Sequence, residues 1–371
     1  MRYRNTWAEI NLQAIEKNIK TLAANLPGES KPIGVVKADA YGHGSVEVAR
    51  TLVESGVERL MVALLEEAIH LRQHGITVPI IVITRVAPMY APIAATNDIT
   101  LTVFSEEWIK EAAKFQYDQP LQTHIEFETG MGRTGLQTEE EINQIVKAYH
   151  SVKDIKLEGV YTHFATADDI NSPYFMNQVE NFERLLVHLQ SQYKEKLIVH
   201  TGNSAAGMQY PGKMHHYTRF GIATYGQYPS TGIKALEHIE LTEAFSLYSE
   251  LIQVKEVKKG DCISYGATYC ADEDEWIGTV PIGYADGWTR KLQGFHVLVD
   301  GKKMPIVGRI CMDAMMIRLD KQYDVGTKVT LIGEDQDEVI RVDDVAQYID
   351  TINYEVTCMI SKRVPREYVK E

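Results

Sequence analysis

The chain has 371 residues, 44% of them apolar and 24% charged, and its 51 acidic against 38 basic side chains leave a net charge of −13. That composition excludes a disordered or collagen-like chain, and the length predicts two domains, or one large barrel with an appendage. So acidic a surface repels phosphate backbones, no apolar run approaches the roughly 20 residues that span a bilayer, and the N-terminal MRYRNTWAEINL lacks an apolar signal core, so the expectation is a cytoplasmic protein with neither nucleic acid nor membrane as partner.

Short runs rich in Val and Ile recur along the first two-thirds of the chain, at residues 32–37, 60–64, 78–83, 99–103, 121–127, 155–161, 197–200 and 215–220. Helical patterns lie between them, for example 45–55 and 105–115, the latter with Ser105 as N-cap and acids in its first turn. Eight strand–helix repeats over about 230 residues predict a (β/α)8 barrel, with a doubly wound sheet as the alternative. Beyond residue 240 the pattern changes to short strands, at 245–257, 276–281, 295–299 and 329–333, separated by turns such as Lys259-Gly260-Asp261 and Asp300-Gly301, with one helix over 343–349. The fold class is therefore α/β, an N-terminal (β/α)8 TIM-like barrel followed by a C-terminal, mostly β domain. Cys262, Cys270, Cys311 and Cys358 form no C-x-x-C pair and read as four free thiols, with no metal site.

Barrel active sites gather at the C-terminal ends of the strands, with phosphate held after the seventh and eighth. Applied here, that rule brings to one mouth Lys37 in VVKADAYGHG, Arg133 in GMGRTG, His163, the turn His200-Thr201-Gly202-Asn203-Ser204, and Arg219-Phe220-Gly221-Ile222. Small residues with free backbone N–H groups suit a phosphate, and a desolvated lysine suits condensation with an aldehyde, so the set points to pyridoxal phosphate. Each residue also has a plainer reading: Lys37 as a solvated rim lysine, Asn203-Ser204 as a helix N-cap, His163 and His200 as satisfied interior histidines, Arg219 as the partner of a carboxylate. Only their joint placement favours chemistry. GMGRTG also spells the dinucleotide pattern G-x-G-x-x-G at Gly130, Gly132 and Gly135, but it follows the fifth strand rather than opening a sheet.

VVKADAYGHG, THFATAD, HTGNSAA, RFGIATYG, SYGATY, GYADGWTR and VGRICMDAMM, in that order along nearly the whole chain, resemble the segments of the PLP-dependent alanine racemases. The resemblance implies residues 11–240 as the PLP-binding barrel and 241–371 as the β domain, joined by an N-terminal strand at 1–10. It implies an isomerase that interconverts L- and D-alanine, makes D-alanine for peptidoglycan, and works as a head-to-tail homodimer with shared active sites. By matching residues, Lys37 would bond pyridoxal 5'-phosphate and serve as one base, with Tyr265 of the partner as the other. Tyr41, Ser204, Gly221, Ile222 and Tyr354 would hold the phosphate, with Asn203 beside them. Arg219 would face the pyridine nitrogen, Arg133 the phenolic oxygen, and His163 would link Tyr265 to Arg219. Met312, Asp313 and Arg133 would place the substrate, and Tyr284 would line the entrance. The chain departs from the family in HIEFETG: Glu126 stands where a carbamylated lysine is common, and Glu128 where an aspartate is. Two residues apart on a strand, they share a face, and Glu126 is expected to supply the missing negative charge to Arg133. A barrel-bearing PLP decarboxylase, a PLP-binding protein without turnover and a dehydrogenase remain as other readings.

Overall fold

Strands such as Ile80–Val82 and Ile99–Val103 are buried along their whole length, as parallel strands covered on both faces must be. The computed structural model describes residues 3–28 and 30–370. In it, β1 (Thr6–Asn11) precedes eight strands that pair in parallel, in chain order, into a closed barrel. These are β2 (Lys31–Val35), β3 (Leu60–Val62), β4 (Ile80–Val82), β5 (Ile99–Val103), β6 (Leu121–Phe127), β7 (Ile155–Thr162), β8 (Ile198–His200) and β9 (Tyr217–Phe220). Closure is made by β2 against β9, with Ile33 opposite Arg219.

The covering helices follow from local sequence. Helix Tyr174–Gln192 buries Phe175, Gln178, Phe182, Leu185, Leu186 and Leu189, spacings of three and four that make one apolar stripe. Helix Glu139–Ser151 is started by a capping box, in which Glu141 N donates to Thr138 Oγ1 (3.2 Å) and Thr138 N to Glu141 Oε2 (2.9 Å). The expected helix at 105–115 is Glu106–Ala112, with Ser105 capping Trp108 N at 3.3 Å.

The chain divides into two compact units. One holds the barrel, as residues 14–40 and 45–242; the other holds the described residues up to 13, residues 41–44 and those from 243 onward. In this second unit β1 pairs antiparallel with β10 (Phe245–Glu250), Trp7 opposite Tyr248, and parallel with a C-terminal strand, Arg366–Val369. The expected strand over 245–257 is two strands, β10 and β11 (Gln253–Val257), which pair with different neighbours. The expected helix over 343–349 is Val342–Tyr348, and a further helix, Asn353–Met359, was not foreseen. The reading of four free thiols is corrected: β12 (Cys262–Ile263) and β13 (Tyr269–Cys270) form a hairpin in which Cys262 and Cys270 face each other and are joined as a disulfide. Side chains opposite one another across a two-stranded ladder are close enough to bond without any C-x-x-C spacing. Cys311 and Cys358 stay outside any disulfide.

The glycines of GMGRTG have a conformational purpose. Gly135 has φ +123°, and a Cβ there would sit 2.6 Å from Glu128 N and 2.8 Å from the Phe127 carbonyl carbon. Gly135→Ala should therefore cost about 1–3 kcal/mol of stability, read as a lower urea midpoint; an unchanged midpoint would contradict this account of the turn.

Candidate active site

Lys37 does not end a strand. Strand β2 stops at Val35, and Lys37 opens a turn in which Ala38, Asp39, Ala40 and Tyr41 all have φ between 52° and 55°. Four consecutive non-glycine residues in the left-handed region cost about 1–2 kcal/mol each, so outside contacts must impose the turn. Within the barrel unit, Ala38 N donates to Glu67 Oε1 (2.6 Å), and Asp39 Oδ1 accepts from Ser45 N (2.8 Å).

Arg219, on β9, is 4% exposed. Its Nη1 donates to the His200 carbonyl (2.8 Å) and lies 3.1 Å from His200 Nδ1; its Nη2 donates to the carbonyls of Thr162 (2.8 Å) and Thr201 (3.1 Å) and lies 3.4 Å from His163 Nδ1. Burial draws the guanidinium down to about 10, against the pull of Tyr161 and Glu126. The Tyr161 ring stacks on His200 at 4.7 Å between centroids and lies 5.4 Å from the guanidinium carbon. Burial, followed by the charges of Arg219, Arg133 and Lys37, holds His163 well below the ordinary histidine range. His163 is thus a neutral ring among three cations.

The two acids after β6 have separate tasks. Glu128 shapes the loop, accepting from Gly130 N (2.6 Å) and Arg133 N (2.8 Å), and these backbone donors outweigh burial to lower its pKa. Glu126, 3% exposed, accepts from Thr134 Oγ1 at 2.7 Å and lies 3.9 Å from Arg133 Nη2. Burial raises its pKa, opposed by Thr134 and Arg133. The Arg133 side chain, 49% exposed, meets this carboxylate only at the outer limit of an ion pair.

Past β8 and β9, Ser204 Oγ accepts from Gly221 N (3.0 Å) and Ala223 N (3.4 Å), which draws Ser204, Gly221 and Ile222 into one turn cluster. The Asn203 side chain is committed to capping: Oδ1 accepts from Ala206 N (3.0 Å) and Nδ2 donates to the Phe164 carbonyl (3.1 Å). In the second unit the rings of Tyr41 and Tyr354 lie 6.0 Å apart, and burial followed by Tyr354 pushes the Tyr41 phenol up.

Also in that unit, Tyr265 is 72% exposed on the hairpin loop closed by Cys262–Cys270. Ser264, beside it, donates to the Arg309 carbonyl at 2.6 Å. Tyr284 N and Ala285 N donate to the carbonyls of Cys311 (3.1 Å) and Met312 (3.0 Å), so Tyr284 and Met312 share one loop junction. Asp313 is paired with Arg363 at 2.5 Å. The loops bearing Tyr265, Tyr284, Met312 and Asp313 are therefore tied together.

Within the barrel, an amine, two guanidiniums and a hydroxyl-bearing turn can hold an anion and condense with an aldehyde. Sequence reasoning missed Tyr161, His124 and Glu158 as parts of this interior, and Thr134 as the partner of Glu126. The usable signal was polar residues recurring with period two inside strands, as in LQTHIEF and IKLEGVYT.

Residues 10–229 match the family described as "Alanine racemase, N-terminal domain" and residues 244–368 "Alanine racemase, C-terminal domain". The chain is 53% identical to the alanine racemase of Anoxybacillus flavithermus, over 99% of this chain and 96% of the relative, and 52% identical to that of Geobacillus stearothermophilus, over 99% and 94%. Among solved structures, the alanine racemase of Bacillus anthracis with bound L-Ala-P superposes with a TM-score of 0.97 at 45% identity, covering 100% of this chain and 96% of that one. A histidine racemase from Leuconostoc mesenteroides superposes at 0.92 with 31% identity, covering 100% and 99%. With both halves matched and such relatives spanning its length, the chain belongs to the alanine racemase family.

Proposed function

We propose that the chain interconverts L- and D-alanine with pyridoxal 5'-phosphate held in its barrel, a reading carried by the buried Arg219 beside His163 (Nη2 3.4 Å from Nδ1), with Lys37 and the Ser204–Gly221 turn on the same unit. The residues fit such a group: Lys37 offers an amine, Ser204 and the Gly221 turn suit a phosphate, and Arg219 presents only donors. When bound, the cofactor supplies an electron sink that makes the proton on the amino acid's Cα labile. Lys37 holds the cofactor through Nζ and moves the proton on one face of Cα. Tyr265 moves it on the other, since inversion needs one base per face. A free tyrosine titrates near 10, so Tyr265 needs a cationic, hydrogen-bonded setting, which His163 and the arginines would give. Arg219, unlike a carboxylate, would donate to the pyridine nitrogen without favouring its protonation, which would weaken the sink and limit side reactions such as transamination.

Tyr265 is read as serving the partner's barrel in a head-to-tail homodimer, and its 72% exposure suits a side chain completed by another subunit. Ser204, Gly221 and Ile222 would hold the phosphate, a role also read for Tyr41 and Tyr354, and Asn203 shapes the Ser204 turn. Arg133 would face the phenolic oxygen and the substrate, and Met312 and Asp313 would serve the carboxylate and Tyr284 the entrance. Among described residues no helix is long and apolar enough to cross a membrane; we place the enzyme in the cytoplasm, its D-alanine feeding peptidoglycan. Alanine is preferred because the relatives at 45–53% identity are named for it, and the fold itself does not choose, since a histidine racemase shares it. Tyr284, Tyr354 and Met312 leave room for a methyl group. An added hydroxyl is poorly rejected by such a pocket, by about 10²-fold, so serine should be a slow substrate in a direct assay of both amino acids.

Lys37→Ala should abolish racemisation together with the absorbance of bound cofactor; near-normal turnover would sink the reading. Mixing Lys37→Ala with Tyr265→Ala subunits should restore activity through heterodimers holding one intact site. No recovery, with subunit exchange verified, would count against a shared site.

Glu126 is read as the permanent negative group that supports Arg133. Removing one member of a buried pair costs roughly 3–5 kcal/mol; with Arg133 half-exposed, a smaller loss is expected here. Glu126→Ala should lower cofactor affinity and turnover with no rescue by bicarbonate, whereas Glu126→Lys should recover in a bicarbonate-dependent way. Unchanged affinity and turnover in Glu126→Ala would refute the role.

A further inference from the structure

A single file of hydrogen bonds runs down the barrel from Arg219. His200 Nδ1 faces Arg219 Nη1 at 3.1 Å, His200 Nε2 lies 2.8 Å from His124 Nδ1, and His124 Nε2 lies 3.1 Å from Glu158 Oε2. Glu158 Oε1 then accepts from Arg59 Nη2 at 3.0 Å. Both imidazoles are fully buried. Arg59 immediately precedes β3, so the file ends at the N-terminal pole, in a cleft that Arg59 and Glu158 line together with Lys156 and Glu195.

The donor inventory admits one proton arrangement. A guanidinium only donates, so His200 Nδ1 must accept and its proton sits on Nε2. That proton is given to His124 Nδ1, which leaves the His124 proton on Nε2, directed at Glu158. From the other end, a carboxylate that accepts from Arg59 also requires a proton on His124 Nε2. The two ends agree. Protonating either ring would set donor against donor. Consistent with this, burial lowers both histidines, and the hydrogen bond from His124 with the charge of Arg59 outweighs burial to hold Glu158 below its ordinary value.

We propose that Glu158 and His124 are positioning residues for the reaction: from the far pole they lock His200 in its Nε2–H form, which keeps a lone pair against Arg219 and fixes the plane in which that guanidinium meets the cofactor. The proposal rests on the reading of Arg219 as the residue that faces the pyridine nitrogen.

The test uses the full-length, cofactor-loaded enzyme labelled with 15N-histidine. Solid-state 15N spectra at neutral pH should show His124 and His200 neutral and protonated at Nε2; a His200 protonated at Nδ1, or at both nitrogens, overturns the arrangement. Glu158→Gln keeps the shape but must turn its carbonyl to Arg59 and its amide to His124. That reverses the file and puts an N–H of His200 against Arg219. His200 should then carry its proton on Nδ1, and kcat should fall about tenfold or more, the effect of about 1.4 kcal/mol in the barrier, with KM within about twofold of the parent. Glu195→Gln, in the same cleft, should change neither. His124→Gln, able to accept from His200 and donate to Glu158, should keep most of kcat where His124→Leu loses it. Parental kcat in Glu158→Gln, or in His124→Leu should Glu158→Gln not fold, overturns the proposal. Arg219→Ala separates the two readings: an unaltered absorbance of bound cofactor would sink the role of Arg219 while leaving the tautomer result standing.

Discussion

A guanidinium sealed inside a barrel, with no carboxylate among the described residues in ion-pair contact with it, is the constraint around which this interior is built. Burying an unpaired charge costs several kcal/mol. Arg219 offsets that through bonds to the carbonyls of His200, Thr162 and Thr201, each contact to a charged group contributing about 1.5–3 kcal/mol. Those carbonyls come from the ends of β7 and β8, so an arginine on β9 also fixes how the three strands end relative to one another. Barrels of this kind are usually filled by layers of Val, Ile and Leu. Here Thr100, Thr102, His124, Glu126 and His200 contribute polar groups to that filling. A polar filling is what a buried cation requires, and it brings its own demand: each such group needs a partner.

The same chemistry separates the two glutamates of HIEFETG. They share a strand face by periodicity, yet Glu128 lies beyond the end of β6, where loop amides capture it, while Glu126 stays inside and meets Thr134 and Arg133. A carboxyl group is thereby placed 3.9 Å from Arg133 Nη2 by the encoded sequence itself.

Much of the barrel was legible because strands covered on both faces leave unbroken apolar runs, as IIVI at residues 80–83 does, and because Ser105 and Thr138 mark helix starts chemically. The turn after Lys37 was not. Ala-Asp-Ala-Tyr contains no glycine, and nothing local asks it to be left-handed; Glu67 and Ser45, brought in by folding, impose it. The disulfide was missed for a related reason, since pairing depends on where a hairpin folds back and not on the spacing of its cysteines. Lys37, Arg133, His163, Ser204 and Arg219 could be named from the ends of strands, whereas His124 and Glu158 sit mid-strand and look like ordinary strand residues until the barrel closes. The separate tasks of Asn203 and Ser204 likewise appear only with coordinates, the first as a cap and the second as an acceptor across two loops.

The continuous run of hydrogen bonds from Arg219 to Arg59 bears on how such a barrel can be altered. In barrel enzymes the floor is ordinarily where stability is adjusted and the mouth where chemistry is adjusted, and the two can be varied separately. Here a carboxylate at the floor and a guanidinium at the mouth share one proton arrangement. Loop grafts, circular permutation points or charge redesign placed near β3 and β7 on the supposedly inert side would reach the chemical end without moving a backbone atom there. The modularity that makes the architecture attractive to engineers stops, in this chain, at the residues that line its axis.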